Sequence, residues 1–305
     1  MILFRKNLNT IVKEFEYIDK RGFKMAGVLY LCATPIGNLE DISYRAVRVL
    51  KEVDLIGAED TRHTKKLLNH LDIHTPLTSY HEHNKKTKGP FLIEKLKNGL
   101  NIAIVTDAGT PGISDPGEDL VRLAYENNIK VVPVPGPSAL ITGLIVSGLS
   151  TKRFVFEGFL PTDNKERKER LDKLKKEDRT IILYEAPHRL LNTLKNLYEV
   201  LGDRNISVIK ELTKKYEEVY RCTITEGIHY YTEVEPKGEF VLVIEALSKE
   251  ALEEIETKKW EDITIEDHYH FYIQQGIDNK EAIKQVAKDR KISKREVYKI
   301  IHKIE

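Results

Sequence analysis

The sequence predicts an α/β protein with two α/β domains, a ligand cleft between them and a small helical extension at the carboxyl end. Three observations carry this expectation. Short apolar runs of strand length alternate with amphipathic helical stretches. Glycine, proline and ionisable residues gather where those runs end, the carboxyl edge at which an open α/β sheet binds ligands. Beyond Ser248 the composition turns polar and helical. The boundaries expected from these shifts are an N-terminal extension over 1–26, α/β domains over 27–149 and 150–247, and a helical, helix-turn-helix-like extension over 248–305.

Residues 1–24 suit one amphipathic helix through Ile11, Val12, Phe15 and Ile18, ahead of Met25, and read as a dispensable extension or a misplaced start. Val28 to Cys32 is the first strand, leading through Ala33-Thr34-Pro35-Ile36-Gly37-Asn38-Leu39 into a helix from about Ser43 to Glu52. The loop has neither the Gly-Lys-Ser/Thr of a phosphate loop nor the G-x-G-x-x-G of a dinucleotide site. A strand over Asp54 to Ala58 delivers Glu59-Asp60-Thr61-Arg62-His63 to a helix bearing Leu67, Leu68 and Leu71. The His81-Glu82-His83-Asn84 stretch lacks the helical i, i+4 spacing of a zinc site and reads as a polar loop or substrate contact, so no metal is expected.

The chain is organised around Asp107 to Gly117, Asp-Ala-Gly-Thr-Pro-Gly-Ile-Ser-Asp-Pro-Gly. It follows the buried strand Ile102 to Val105 and precedes a helix with Glu118 and Asp119 in its first turn. Three glycines and two prolines let the backbone approach a ligand closely while limiting its freedom. A strand over Lys130 to Val134 then ends in Pro135-Gly136-Pro137-Ser138, with Ser138 as N-cap of a helix to Ser147.

After Gly148, a strand over Arg153 to Glu157 and the turn Gly158-Phe159-Leu160-Pro161 open the second half. The charged segment from Asp163 to Arg179 reads as a solvated helix with i, i+4 pairs Glu166–Arg170, Glu169–Lys173 and Asp172–Lys176. Thr180 to Tyr184 is a strand reaching Glu185-Ala186-Pro187-His188-Arg189, ahead of a leucine-faced helix. Ser207 to Ile209 leads to Lys210-Glu211-Leu212-Thr213-Lys214, alternation follows towards Lys237, and the last strand lies within Lys237 to Glu245. In the tail, Glu281 to Lys288 and Lys294 to Ile301 read as two helices about a turn, with Ser293 as the second N-cap and basic residues in excess. This unit either caps the second domain or contacts RNA.

Composition narrows the function classes. The 305 residues, 41% hydrophobic, suffice for two cores, and a net charge of +1 advertises no polyanion partner globally. Cys32 and Cys222 stand alone, which suits a reducing cytoplasm, and no run reaches membrane-spanning length. An enzyme and a small-molecule sensor both satisfy these bounds.

Beyond them, Ala33 to Ser43, Ala58 to Arg62, Ser79 to Asn84, Thr106 to Gly117, Val134 to Leu140, Gly158 to Pro161, Tyr184 to Arg189 and Glu211 to Lys214 together resemble the ribosomal RNA small subunit methyltransferase I family, of the tetrapyrrole-methylase fold class. The resemblance runs from about Gly27 to Glu245. It implies a cleft for S-adenosyl-L-methionine, usually a homodimer, and methyl transfer to the ribose 2′-oxygen of a cytidine in the decoding centre of 16S ribosomal RNA, free or in the assembled small subunit. It places the cofactor against Pro35, Ile36, Asp107, Ala108, Gly109, Thr110, Ile113, Ser138, Ala139 and Tyr184. A sulfonium cation carries no phosphate, so loops of amides and carbonyls without a lysine suit it. Candidates for a base, or a cation favouring the alkoxide, are Glu59, Arg62, His83, Glu185 and Lys210, with Asp60, His188, Arg189 and Glu211 beside them. A tetrapyrrole or other small-molecule methyltransferase of the same fold, and a non-catalytic ribosome-assembly factor, remain the alternatives.

Overall fold

A computed structural model describes residues 26–248, 250–252, 260 and 262–302. The helix expected through Ile11 to Ile18 lies outside them. Ten strands, β1 (Val28–Cys32), β2 (Leu55–Ala58), β3 (Leu77–Ser79), β4 (Ile102–Val105), β5 (Lys130–Val134), β6 (Phe154–Phe159), β7 (Thr180–Glu185), β8 (Asn205–Lys210), β9 (Glu218–Thr223) and β10 (Phe240–Ile244), form two five-stranded sheets among the described residues. The first runs β3-β2-β4-β1-β5, all parallel. Its interior strand β4 is buried at every residue, as a strand covered on both faces must be.

Helices α1 (Tyr44–Glu52), α2 (Thr61–His70), α3 (Lys85–Lys97), α4 (Gly117–Glu126) and α5 (Ala139–Ser147) connect or follow these strands. Local chemistry starts the first two: the Ser43 hydroxyl accepts from the Ala46 amide at 3.1 Å and the Asp60 carboxylate from the Arg62 amide at 2.8 Å. The sequence showed no signal for β3, three half-buried residues, or for α3, which carries Pro90 inside it. Neither has a clean apolar period of its own.

The second sheet is mixed, β6-β7-β10-β8-β9, with β6 and β7 parallel and the other pairs antiparallel. Helices α6 (Asn164–Leu174), α7 (Pro187–Leu201) and α8 (Ile224–Glu233) accompany it. The expected Gly158 turn is instead the end of β6, where a register shift between Phe156 and Gly158 lets the strand continue. Alternation after Glu218 persists only to Thr223. A capping box, with the Thr223 hydroxyl bonded to the Glu226 amide and the Glu226 carboxylate to the Thr223 amide, then starts α8. On α6 the expected lattice of i, i+4 pairs gives way to longer contacts. Arg170 pairs with Glu157 of β6, while buried Arg167 donates to the Pro161 carbonyl at 2.9 Å.

The helix α5 joins the halves. It is apolar on nearly every side and packs on β7, β8, β9 and β10, where Leu140 and Leu144 meet Ile182, Ile209, Val241 and Val243. Gly143 permits this approach, since a Cβ there would stand 2.8 Å from the Val241 Cγ1. The last helix of the first half therefore builds a core against the second sheet.

Beyond the sheets, α9 (Ile265–Gln274), α10 (Asn279–Asp289) and α11 (Lys294–His302) pack on one another. The sequence reading anticipated the last two. Their core is Tyr269, Ala282, Ile283, Val286, Ala287 and Val297, and each helix has a side-chain cap, Thr264, Asp278 and Ser293. The core cluster of this bundle is made of its own residues alone. No helix among the described residues is long and apolar enough to cross a membrane.

Candidate functional site

A cavity of about 490 Å³ opens between the sheets, where the carboxyl ends of β1, β4, β5 and β7 face the loop after β8 and the start of β10. Its walls on the first-sheet side are backbone. Thr34 and Gly109 exchange amide–carbonyl bonds of 2.9 and 3.1 Å, tying the β1 loop to the β4 loop. Gly109 has φ +85°, and a Cβ there would stand 3.2 Å from the Ile36 Cγ2. The positive φ favours glycine, and any Cβ would press on that methyl group. The Thr110 hydroxyl donates to the Pro137 carbonyl at 2.9 Å, adding the β5 loop to the set.

Downstream, one carboxylate holds the turn. Asp115 accepts from the amides of Gly112 at 2.9 Å, Ile113 at 3.2 Å and Gly117 at 2.8 Å, fixing a loop in which Gly112 and Ser114 both have positive φ. Three amides bonded to one carboxylate explain how a non-glycine residue, Ser114, is kept in the left-handed region.

The opposite wall is aromatic and aliphatic. Tyr184 sits at the end of β7, with Phe156 and Phe159 meeting its ring edge-on at 4.9 and 5.7 Å. Its hydroxyl accepts from the Leu140 amide at 2.9 Å, and burial pushes its phenol pKa up. The sequence expected Ser138 to cap α5. Ser138 does precede the helix, but its side chain makes no capping bond, and the Tyr184 hydroxyl satisfies a first-turn amide in its place. The two halves also touch beside the cavity. A Cβ on Gly37 would stand 2.4 Å from the Lys214 Cγ and 3.1 Å from the Leu212 carbonyl oxygen.

Of the residues expected to hold a cofactor, Ile36, Ala108, Gly109, Thr110, Ile113, Ser138, Ala139 and Tyr184 line this cavity. Pro35 and Asp107 do not. They line a second cavity of about 190 Å³ against α2, and the Asp107 Oδ1 accepts from the Asp60 amide at 3.0 Å. Neighbours in these two turns part ways, so that Ile36 and Ala108 line one cavity while Pro35 and Asp107 line the other.

The catalytic candidates separate as well. Glu185 and His188 line the large cavity. Glu185 is buried and saturated: it accepts from the Thr193 hydroxyl at 2.6 Å and the Ala186 amide at 2.8 Å, with Arg189 at 3.4 Å. These bonds give it the work of shaping the β7–α7 turn. Glu59 accepts from the Thr106 hydroxyl at 2.8 Å beneath the β4 loop. Arg62 is exposed and bonded to Asp60, whose carboxyl that guanidinium holds well below the usual carboxylate range. His83 faces His81 at 6.0 Å between ring centroids, Lys210 stands 3.8 Å from Glu218, and neither lines the cavity. Burial raises the Glu211 pKa, yet bonds from the Lys214 ammonium and the Glu239 amide hold it below its ordinary value.

Sequence reasoning missed Phe159, Leu212, Phe240 and Val241 as lining residues, and Asp115 as the loop's anchor. A signal for Asp115 existed in its place between two glycines, where a carboxylate commonly turns back on neighbouring amides. The others needed the second sheet's position.

The lining suits a zwitterionic sulfonium ligand. Among the described residues it contains no lysine or arginine, its walls are mainly apolar, and α5 presents its N-terminal end to it. Its volume lies within the roughly 300–1,000 Å³ of small-molecule sites. A phosphate-bearing cofactor would find no lysine or arginine on this lining.

Comparison with known proteins agrees with this architecture. Residues 28–227 match the family of tetrapyrrole (corrin/porphyrin) methylases. A ribosomal RNA small subunit methyltransferase I of Bacillus subtilis is 52% identical over 276 residues, covering 90% of this chain and 94% of that protein. Another, from Synechocystis, is 50% identical over 280 residues, covering 92% and 99%. The crystal structure of a uroporphyrin III C-methyl transferase from Thermus thermophilus superposes with a TM-score of 0.53 at 16% identity, over 72% of this chain and 97% of that one, a likeness of fold.

Proposed function

We propose, for a chain that belongs to the ribosomal RNA small subunit methyltransferase I family, S-adenosyl-L-methionine-dependent methyl transfer to the ribose 2′-oxygen of a cytidine in the decoding centre of 16S ribosomal RNA. The observation that carries the reading is the cavity between the sheets, with its backbone-edged, largely apolar lining free of lysine and arginine among the described residues. The bound cofactor supplies a methyl group already activated by its sulfonium charge.

The chain's own residues then have three tasks. Ile36, Leu212, Phe240 and Val241 exclude water from the cavity. Gly109 and the Asp115-anchored turn hold backbone edges for the cofactor's polar groups, and Tyr184, locked by the Leu140 amide and two phenylalanine rings, fixes the opposite wall. Orientation of this kind, which brings the ribose oxygen in line with the methyl group, accounts for much of a transfer that needs little covalent help from the protein. His188 is the ionisable group on the lining that the described hydrogen bonds leave uncommitted, and we assign it the role of accepting the hydroxyl proton. We further propose that the chain acts as a homodimer, which would cover Ile141 and Ile145, exposed on the outer side of α5.

The experiment is product mapping on under-methylated small subunits and on free RNA. Expected is one cytidine whose 3′ phosphodiester resists alkali, because that cleavage needs a free 2′-hydroxyl. A methyl group placed on the base by mass spectrometry would contradict the reading.

A further inference from the structure

The second cavity is lined by sequence neighbours of residues that line the first. Pro35 and Ile36 are consecutive, as are Asp107 and Ala108, so one pair of loops has the large cavity on one side and this smaller one on the other. A ribose held where these two loops divide the cavities would leave its base beside the smaller one. Proteins that select one nucleotide of an RNA commonly splay its base out of the stack and read it in a pocket.

The lining has the chemistry for that task. His63, Lys66, Leu67 and His70 fall at i, i+3, i+4 and i+7 of α2 and so share one face, which closes over Leu39 and Asp107. The Asp107 Oδ1 is taken by the Asp60 amide at 3.0 Å, while its Oδ2 has no protein donor among the described residues. The free oxygen thus presents an acceptor, and only an acceptor, beside two leucines. No ion pair engages Lys66, His63 or His70 among the described residues, so they stand ready for phosphate.

We propose that this cavity receives the base of the target nucleotide and selects cytosine. Asp107 Oδ2 accepts from the exocyclic amino group, Leu39 and Leu67 flank the ring, and Lys66 with the two histidines meets the adjoining phosphates. The assignment rests on the reading of the chain as an RNA methyltransferase. It gives Asp107 a role in RNA selection in place of the cofactor contact expected from sequence.

Asp107→Asn tests it with little risk to the fold. The asparagine carbonyl keeps the bond to the Asp60 amide, which turns its NH₂ towards the cavity and makes an acceptor into a donor. Equilibrium binding and methyl transfer are measured on RNA with cytidine or uridine at the acceptor position, with S-adenosyl-L-methionine affinity measured by calorimetry. The wild-type chain should favour cytidine by about tenfold in both binding and transfer, and Asp107→Asn should remove or invert that preference. Cofactor affinity should stay within about twofold, a change of roughly 0.4 kcal/mol. Lys66→Ala should weaken both RNAs equally and lower the salt dependence of binding. An unchanged cytidine preference in Asp107→Asn, or cofactor affinity falling as much as activity, overturns the proposal. Absence of RNA methylation by the wild-type chain, with base preference in binding intact, would instead remove the function proposed above.

Discussion

The cavity between the sheets and the bundle α9–α11 are built by opposite means. In the cavity, the decisive features are backbone conformations fixed from far away: Gly109 bonded to Thr34, Tyr184 satisfying an amide of α5, Gly37 pressed on the loop after β8. In the bundle they are local. Each helix carries its own N-cap and contributes apolar residues to one core shared with its companions. The first region needs two sheets to exist before it has a shape, whereas the second folds on signals within about forty residues. A cavity made by distant contacts binds a small ligand in one fixed pose, and a bundle with its own core and a basic exposed face suits a large, variable surface such as RNA.

The difference predicts that damage to one region will spare the other. The largest effect is expected from Gly109→Val, where a β-branched residue must adopt φ +85° and meet Ile36. Cofactor affinity measured by calorimetry should fall by at least about a hundredfold, roughly 2.7 kcal/mol. Hydrogen exchange of α9–α11 should not change, and reduced protection in both regions would show that the bundle depends on the cleft.

Deletion from Ser248 onward is the reciprocal cut. The segment from Lys280 to His302 carries eight Lys and Arg residues against three acidic ones, and α11 exposes Lys294, Arg295, Tyr298 and His302. Truncation should leave cofactor affinity within about twofold. RNA binding should weaken, with a salt dependence shallower by roughly 0.7 for each phosphate that is no longer neutralised. Equal slopes and affinities would assign the RNA footprint to the cleft rim near Arg62, His83 and Arg189.

These expectations rest on unequal legibility. Four of the first sheet's five strands, the organising loop and eight of the cavity-lining positions could be named from residue order and family resemblance, since strand ends in an α/β sheet are where ligands bind. The bundle's last two helices were legible because Asp278 and Ser293 act on their own neighbours. What could not be read was side. Nothing in the order Pro35-Ile36 or Asp107-Ala108 says which residue faces which cavity, and that depends on the Thr34–Gly109 pairing between loops far apart in the chain. The capping of α5 by Tyr184 was hidden for the same reason, and β3 and α3 lacked a clean apolar period to announce them.

Two smaller changes sharpen the comparison. Val286→Ala in the bundle core should cost about 1–2 kcal/mol there. Exchange should quicken in α9–α11 alone, and an equal loss in the sheets would mean one cooperative unit. Tyr184→Phe removes the acceptor of the Leu140 amide beside the cavity. The net loss of about 0.5–1.5 kcal/mol corresponds to roughly two- to tenfold weaker cofactor binding, read by calorimetry, with RNA affinity unchanged.

Whether the cavity between the sheets performs the reaction is decided by transfer of labelled methyl from S-adenosyl-L-methionine to under-methylated small ribosomal subunits, run with the full chain and with Gly109→Val. Label should enter 16S ribosomal RNA with the full chain and almost none with the variant, whose circular dichroism should match the parent. No label with the full chain, or equal label with both, would contradict the assignment of the chemistry to that cavity.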